Sequence, residues 1–161
     1  MSRLVARHGL SEANNRENYG TPAFGNPEAS LMPQGRDQAT ELSGILAVRY
    51  SIEIPKVSVA VSMMRRSQET AIVAGFRKLH LYPQLNEEKG GMTDEETREA
   101  LATRCPPEAT IRAARYLIEN PPEEKVWVTH ALLIATICQE LGVYTDERFV
   151  PKFCEIRELP I

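Results

Sequence analysis

The sequence has few residues that could form disulfides or bind a metal. Cys105, Cys138 and Cys154 are its only three cysteines among 161 residues, and no two of them form a Cys-x-x-Cys pair. An odd number of widely spaced cysteines argues against a disulfide framework, so we expect reduced thiols buried as small hydrophobic residues. The three histidines are also far apart in the sequence. We therefore predict no metal and no cofactor.

Long apolar runs and an excess of positive charge are missing as well. No segment approaches the roughly 20 apolar residues of a membrane span, and we expect no charged, apolar leader before the first strand pattern. The formal net charge is −3, so no global field attracts nucleic acid or acidic lipid. We expect a cytoplasmic protein with no membrane or nucleic-acid partner, and its oligomeric state stays open. Any anion must be held by local groups.

Alternating patterns predict an α/β fold. Hydrophobic residues make up 42% of the chain and charged residues 25%, which is ordinary for a soluble protein, and the length suits a single domain over residues 1–161. Short β-rich runs alternate with helical patterns, which predicts a three-layer α/β/α sandwich with a mostly parallel central sheet and helices on both faces. The β-rich runs are Arg3 to Ala6, Lys56 to Ser62, Lys78 to Tyr82 and Lys125 to Thr129, with Lys152 to Leu159 as a weaker candidate for an edge strand.

The first helical pattern follows Pro33. The others cover about Arg65 to Phe76, Asp94 to Leu101, Pro107 to Glu119 and Ala131 to Leu141. In the first of them, a three-to-four spacing predicts an inward face made of Ala39, Leu42, Ile45, Leu46 and Val48. The segments Leu10 to Met32 and Gln84 to Thr93 read as loops. Such loops lie beyond the carboxyl ends of strands, where α/β sheets bind ligands.

Cationic and imidazole side chains follow three of the predicted strands. Arg7 and His8 end the first strand, "SMMRRSQETA" places Arg65 and Arg66 at the start of a helix after the second, and "VWVTH" leads directly into His130. Because the carboxyl ends of parallel strands meet at one edge of the sheet, these groups should surround one small volume. Imidazoles and guanidinium groups together are suited to bind a phosphoryl group.

Four stretches, taken together, resemble the histidine phosphatase superfamily, also called the phosphoglycerate-mutase-like fold. "RHGLSEAN" is similar to its RHG signature with the following Ser11 and Asn14, and "SMMRRSQETA" to its S-x-x-x-R-x-x-x-T-A segment, which selects Arg66. "LNEEKGG" is similar to the L-x-E acid loop and points to Glu87, and "VTHA" to the second histidine, His130. The resemblance covers nearly the whole chain in the same order.

The resemblance implies a role for each matched residue. His8 would be the nucleophile that becomes phosphohistidine before water releases phosphate, and it must be neutral and held in one tautomer, with a backbone carbonyl as the expected partner. Arg7, Arg66 and His130 would bind substrate and neutralise the charge of the transferring group, and Asn14 would donate a hydrogen bond to a phosphate oxygen.

The leaving alkoxide needs a proton, and the resemblance assigns its donation to Glu87. To act at neutral pH, this carboxyl group must hold a proton more readily than a free glutamate, through burial or a nearby anion. Glu88 is an open alternative, although the L-x-E spacing selects Glu87. Outside the matched set, Arg65 is either a second phosphate ligand or, as the favoured alternative, an exposed cation at the helix start or a salt-bridge partner, and His80 is expected to be structural.

Three functions remain open. The favoured one is a phosphatase acting on a phosphorylated small molecule or phosphoprotein, because only about 40 residues separate the acid loop from His130, which leaves little chain for the lid that mutases use. The alternatives are a phosphoglycerate-type mutase and a non-catalytic phosphate-binding module. We expect residues 15–30 and 89–104 to line the mouth of the pocket.

Overall fold

The computed structural model describes residues 2–87 and 91–161. Within them the strands are β1 (Arg3–Arg7), β2 (Ser58–Val61), β3 (Lys78–Leu81), β4 (Val126–Thr129) and β5 (Ile156–Leu159). The α-helices are α1 (Pro33–Tyr50), α2 (Arg65–Ala74), α3 (Asp94–Thr103), α4 (Glu108–Glu119) and α5 (Ala131–Leu141).

The strands form one sheet in the order β3-β2-β4-β1-β5. The first four are parallel and β5 is antiparallel to β1 at the edge. The predicted α/β sandwich with a mostly parallel sheet is therefore confirmed, and the weak final pattern is the edge strand. The carboxyl ends of β2, β4 and β1 lie side by side in the middle of the sheet.

Alternation along the strands divides the core into two layers. In β4, Val126 and Val128 belong to a buried cluster that includes residues of α1 and α2, whereas Trp127 belongs to a cluster on the other face with α4 and α5. Successive side chains of a strand point to opposite faces, so helices on both faces are needed to cover a sheet whose central strands are apolar on both sides. Trp127 is fully buried, and its indole N–H donates to the Glu124 carbonyl at 2.8 Å.

The predicted inward face of α1 is wrong at two positions. Ala39, Leu42 and Leu46 are buried, but Ile45 is 43% exposed and Val48 is 87% exposed. At about 100° per residue, Ile45 and Val48 fall outside the narrow stripe that the other three residues form. The apolar residues of this helix therefore cover a wider arc of its surface than the face that packs against the core.

The cysteines also differ from the expectation. Cys138 and Cys154 are buried, as predicted, but Cys105 is exposed. Cys105 follows the end of α3, a helix whose only buried residue is Ala100, so little of that region enters the core. In the described part of the chain, no helix combines the length and the apolar character that crossing a membrane requires.

Candidate active site

The residues selected from the sequence meet at the carboxyl edge of the sheet. His8 follows β1, His130 follows β4, and Arg66 is the second residue of α2, which β2 leads into. The ring centroids of His8 and His130 are 5.1 Å apart, and both residues are buried. The predicted convergence of the two imidazoles is confirmed.

The ring of His8 is held in one tautomer. Its Nδ1 lies 2.7 Å from the Gly9 carbonyl oxygen; since a carbonyl can only accept, Nδ1 carries the proton and Nε2 presents a lone pair. Burial, followed by the charges of Arg66 and Arg7, lowers the pKa of His8 well below its usual value. The imidazole is therefore neutral at pH 7, as a nucleophile requires.

Glycine at position 9 permits this arrangement. A Cβ on Gly9 would lie 2.6 Å from the Gly35 carbonyl oxygen, and a Cβ on Gly35 would lie 2.0 Å from the Leu10 carbonyl oxygen. The first turn of α1 thus packs directly against the backbone that follows His8. On the other side, the Gly9 N–H donates to Thr70 Oγ1 of α2 at 3.0 Å. The residue whose carbonyl fixes the His8 tautomer therefore contacts both α1 and α2.

Arg66 faces the Nε2 nitrogen of His8. Its Nε donates toward His8 Nε2 at 3.3 Å, and the residue is only 6% exposed. Its Nη1 is buried and makes no hydrogen bond to any described residue. Burial lowers the pKa of Arg66, and the charge of Glu87 opposes this. A buried guanidinium with a donor still to be paired is a strong binding site for an anion.

Arg7 supplies a second guanidinium, which contacts residues near the carboxyl end of the sequence. Its Nη1 donates to the Pro151 carbonyl at 2.9 Å, and its guanidinium carbon lies 3.8 Å above the centre of the Phe153 ring. Its Nε is buried without a partner among the described residues. Burial lowers the pKa of Arg7 to about 10, so this group is still cationic at neutral pH.

His130 is held by hydroxyl groups. Its Nε2 lies 2.8 Å from Ser62 Oγ and 3.4 Å from Ser67 Oγ, and all three residues are fully buried. Ser62 directly follows β2, and Ser67 lies in the first turn of α2. The connection that places Arg66 therefore also orients the second imidazole.

Glu87 lies at the amino terminus of α5. Its carboxylate accepts from the Leu133 N–H at 3.0 Å and from the Leu132 N–H at 3.2 Å, and it interacts electrostatically with Arg7 and Arg66. The predicted acid is thus at the site. However, helix N–H groups and guanidinium groups both favour the ionised carboxylate, whereas sequence reasoning expected surroundings that hold a proton. The alternative, Glu88, lies outside the described residues.

Three other residues have distinct surroundings. Asn14 is partly buried, and its Oδ1 accepts from Ser11 Oγ at 2.6 Å, which leaves its amide N–H groups to donate; its contact with phosphate stays a prediction.

Arg65 forms an exposed salt bridge with Glu69, the second of its two expected roles. The imidazole of His80 is hydrogen-bonded to Glu124, and its structural role stays a prediction.

Sequence reasoning did not place Phe153, Ser67 or Pro151 at the site. The alternating pattern of the last segment predicts only a strand at Phe153, yet its ring packs against the Arg7 guanidinium and lies 6.1 Å from the His8 ring. No motif marks it, because its position depends on the turn that leads into β5. Ser67 stood inside a recognised motif, one residue after Arg66, and could have been found from the helical register.

The loop expected at the pocket mouth contacts α3. The Tyr19 and Phe24 rings are 5.4 Å apart, and the Arg98 guanidinium lies 5.3 Å from the Tyr19 ring. These contacts join the two segments that we assigned to the mouth, apart from Lys89 and Gly90, which lie outside the described residues. Over residues 2–87 and 91–161, no three His, Cys, Asp or Glu side chains gather as a metal ion would need. The absence of a metal stays a prediction.

The family model of the histidine phosphatase superfamily (branch 1) matches residues 4–126. The match covers most of the chain and includes Arg7, His8, Arg66 and Glu87. The chain belongs to the histidine phosphatase superfamily. No curated protein matches this sequence.

Solved structures of similar fold have low sequence identity. TTHB049 from Thermus thermophilus superposes with a TM-score of 0.69 at 22% identity, covering 99% of this chain and 94% of that one. Phosphoserine phosphatase from Entamoeba histolytica, solved with 3-phosphoglyceric acid, gives 0.63 at 18% identity, covering 98% and 89%. Mycobacterial glucosyl-3-phosphoglycerate phosphatase, solved with VO3, gives 0.61 at 19% identity, covering 98% and 90%. At these identities the likeness concerns the fold.

Proposed function

We propose that the protein is a phosphatase that hydrolyses a phosphomonoester through a covalent phosphohistidine at Nε2 of His8. The observation that carries the proposal is the state of His8. Its Nδ1–H is bound by the Gly9 carbonyl, its pKa is lowered, and its Nε2 faces Arg66. A neutral imidazole with its lone pair aimed into a cationic pocket is an activated nucleophile beside an anion-binding site.

In the first step, His8 Nε2 attacks phosphorus, the N–P bond forms, and the bond from phosphorus to the ester oxygen breaks. Phosphoryl transfer depends mainly on positioning and on neutralisation of the charge spread over the oxygens. The buried donors Arg7 Nε and Arg66 Nη1, which have no partner among the residues that the structure describes, are suited to that work. His130, held by Ser62, would bind the same group from the other side of His8, and Asn14 would add an uncharged donor.

Glu87 is proposed as the acid that protonates the leaving oxygen. In the described structure its carboxylate is stabilised by the α5 N–H groups and by two guanidinium groups. A bound phosphoryl dianion would compete for those guanidinium groups and add negative charge nearby, which favours the protonated carboxyl group. In the second step, Glu87 would accept a proton from water as the water attacks phosphorus and the N–P bond breaks.

For the substrate, we propose a phosphorylated small molecule or a phosphoprotein. Structural relatives described as phosphoserine phosphatase and glucosyl-3-phosphoglycerate phosphatase support a phosphomonoester. We keep the predictions that residues 1–161 form one domain and that the protein is cytoplasmic, without a nucleic-acid or membrane partner.

A panel of phosphomonoesters tests the proposal. We expect the wild type to release inorganic phosphate from at least one ester, and His8→Ala to lose about 10⁴-fold or more in kcat, as loss of a covalent nucleophile does. A mutase assay with a bisphosphate primer runs in parallel. Phosphate transfer between hydroxyl groups that exceeds phosphate release would replace the phosphatase with a mutase. Phosphate binding without any turnover would indicate a binding module.

A further inference from the structure

Ser62 and Ser67 form a buried hydroxyl pair behind the second imidazole. Ser62 Oγ lies 2.8 Å from Ser67 Oγ and 2.8 Å from His130 Nε2, and the Met64 N–H donates to it at 3.3 Å. Neither of the two serines reaches solvent. Buried polar groups are usually hydrogen-bonded, and the two hydroxyl groups of this pair bond to each other, to the Met64 N–H and to the ring of His130.

A hydroxyl group can adapt to either protonation state of the ring. When the proton of Ser62 points to His130 Nε2, the ring is neutral and carries its own proton on Nδ1. When Ser62 instead donates to Ser67 Oγ, Ser62 accepts a hydrogen bond from Nε2–H, as a protonated imidazole requires. Rotation of one hydroxyl group therefore keeps the ring in place in both states without moving any heavy atom.

Charged groups lie close to His130, so a hydroxyl group that holds the ring in either protonation state would keep its orientation constant. The centroid of the His8 ring lies 5.1 Å from that of His130, and Arg66 donates a hydrogen bond to His8. The Glu87 carboxylate accepts hydrogen bonds from N–H groups in the first turn of α5, the helix that His130 directly precedes. When phosphate arrives and leaves, the local charge changes. Removing the Ser62 contact would loosen the ring about its side-chain torsions.

We propose that Ser62, supported by Ser67, is the positioning residue of His130, fixing the orientation of the ring and accepting the Nε2–H hydrogen bond when the ring is charged. The proposal rests on the proposed phosphatase function and adds a residue to it. Ser62 does not contact the reacting atoms, and its effect is transmitted through His130.

Kinetics of Ser62→Ala test the proposal. We expect kcat to fall about tenfold to a hundredfold, the range that a hydrogen bond to a charged group carries, with a smaller change in KM. Ser67→Ala should lose less, because its distance to Nε2 is longer. Ser62→Thr, which keeps the hydroxyl group, should recover most of the loss. The matched control is Thr136→Ala: Thr136 is equally buried, lies in α5 and donates to the Leu132 carbonyl, so its removal should leave kcat unchanged.

Two readouts separate positioning from a structural role. In a His130→Ala background, adding Ser62→Ala should change kcat little, since the ring through which Ser62 acts is gone. In ¹⁵N NMR spectra, Ser62→Ala should change the protonation pattern and shift of the His130 ring, whereas Thr136→Ala should not. A kcat for Ser62→Ala equal to wild type, an equal loss in both backgrounds, or unchanged ring signals would overturn the proposal. The NMR readout needs no turnover, so a failure of the proposed function would be recognised separately.

Discussion

The molecule buries two kinds of arginine, and their partners differ. Arg157 is 1% exposed, and each nitrogen of its guanidinium has a partner: Nε pairs with Glu155, and the two terminal nitrogens donate to the carbonyls of Arg148 and Phe149. Arg66 is about as deeply buried, yet one of its terminal nitrogens has no partner among the described residues. Burial of a cation therefore does not mark a binding site in this fold. Arg66 differs from Arg157 because one of its donors, next to the imidazole of His8, has no partner over residues 2–87 and 91–161.

The difference has an energetic meaning. A buried charge with complete hydrogen bonding contributes to the native state or costs little, whereas an incompletely paired one is a cost that the rest of the fold must offset. Arg157 joins β5 to the segment before Pro151, whose carbonyl in turn binds Arg7. Arg66 and Arg7 each keep a buried donor that has no partner in the described part of the chain, and such a donor could bind an anion.

Replacing Arg66 should give the larger effect on catalysis. We expect Arg66→Gln to lower kcat by about 10² to 10³, the loss seen when a pre-positioned donor is removed. The free energy of unfolding should stay the same or rise, because an incompletely paired buried charge is removed. Steady-state kinetics and urea denaturation check the two parts. A large loss of stability without a loss of kcat would break the comparison.

Replacing Arg157 should do the reverse. Arg157→Gln leaves the Arg148 and Phe149 carbonyls without their donor, and we expect the free energy of unfolding to fall by about 2 to 4 kcal/mol. The folded fraction should keep kcat within about tenfold of wild type, since the hydrogen bonds of Arg157 go to Glu155 and to the segment before Pro151. Urea denaturation measures the first quantity. An Arg157 variant of native stability with the kcat of Arg66→Gln would contradict the assignment.

The smallest expected effect is a change in how the free energy of unfolding depends on pH. The pKa of His8 is lower in the folded protein than in the unfolded chain, so the unfolded state binds more protons once the pH falls below the ordinary histidine value. Stability from the neutral, buried ring is present above about pH 6.5 and is lost as the pH falls toward the folded value. Below about pH 6.5 the wild type should lose up to about 1.4 kcal/mol per pH unit more than His8→Gln. Parallel slopes for the two proteins would contradict a depressed pKa.

Much of this could be read from the sequence because the signals are local. Strands and helices alternate in short periodic runs, and Arg7, His8, Arg66 and His130 lie at the end of a strand or at the start of a helix, whereas Asn14 and Glu87 lie in loops and were selected only by the resemblance. Parallel strands then bring those positions together. What could not be read depends on contacts between distant segments. Phe153 reaches Arg7 through the turn before β5, the Gly9–Gly35 contact needs the approach of α1, and the exposure of Ile45 and Val48 depends on how much of α1 the sheet covers. The charge balance at Glu87 likewise requires the positions of α5, Arg7 and Arg66.

The state of His8 is best tested by trapping the intermediate. Enzyme mixed rapidly with a labelled phosphomonoester and quenched in base, which preserves phosphohistidine, should carry label on His8, bound at Nε2 and not at Nδ1, because Nδ1–H is held by the Gly9 carbonyl. Label at Nδ1, label on another residue, or rapid turnover with no labelled histidine would contradict the account.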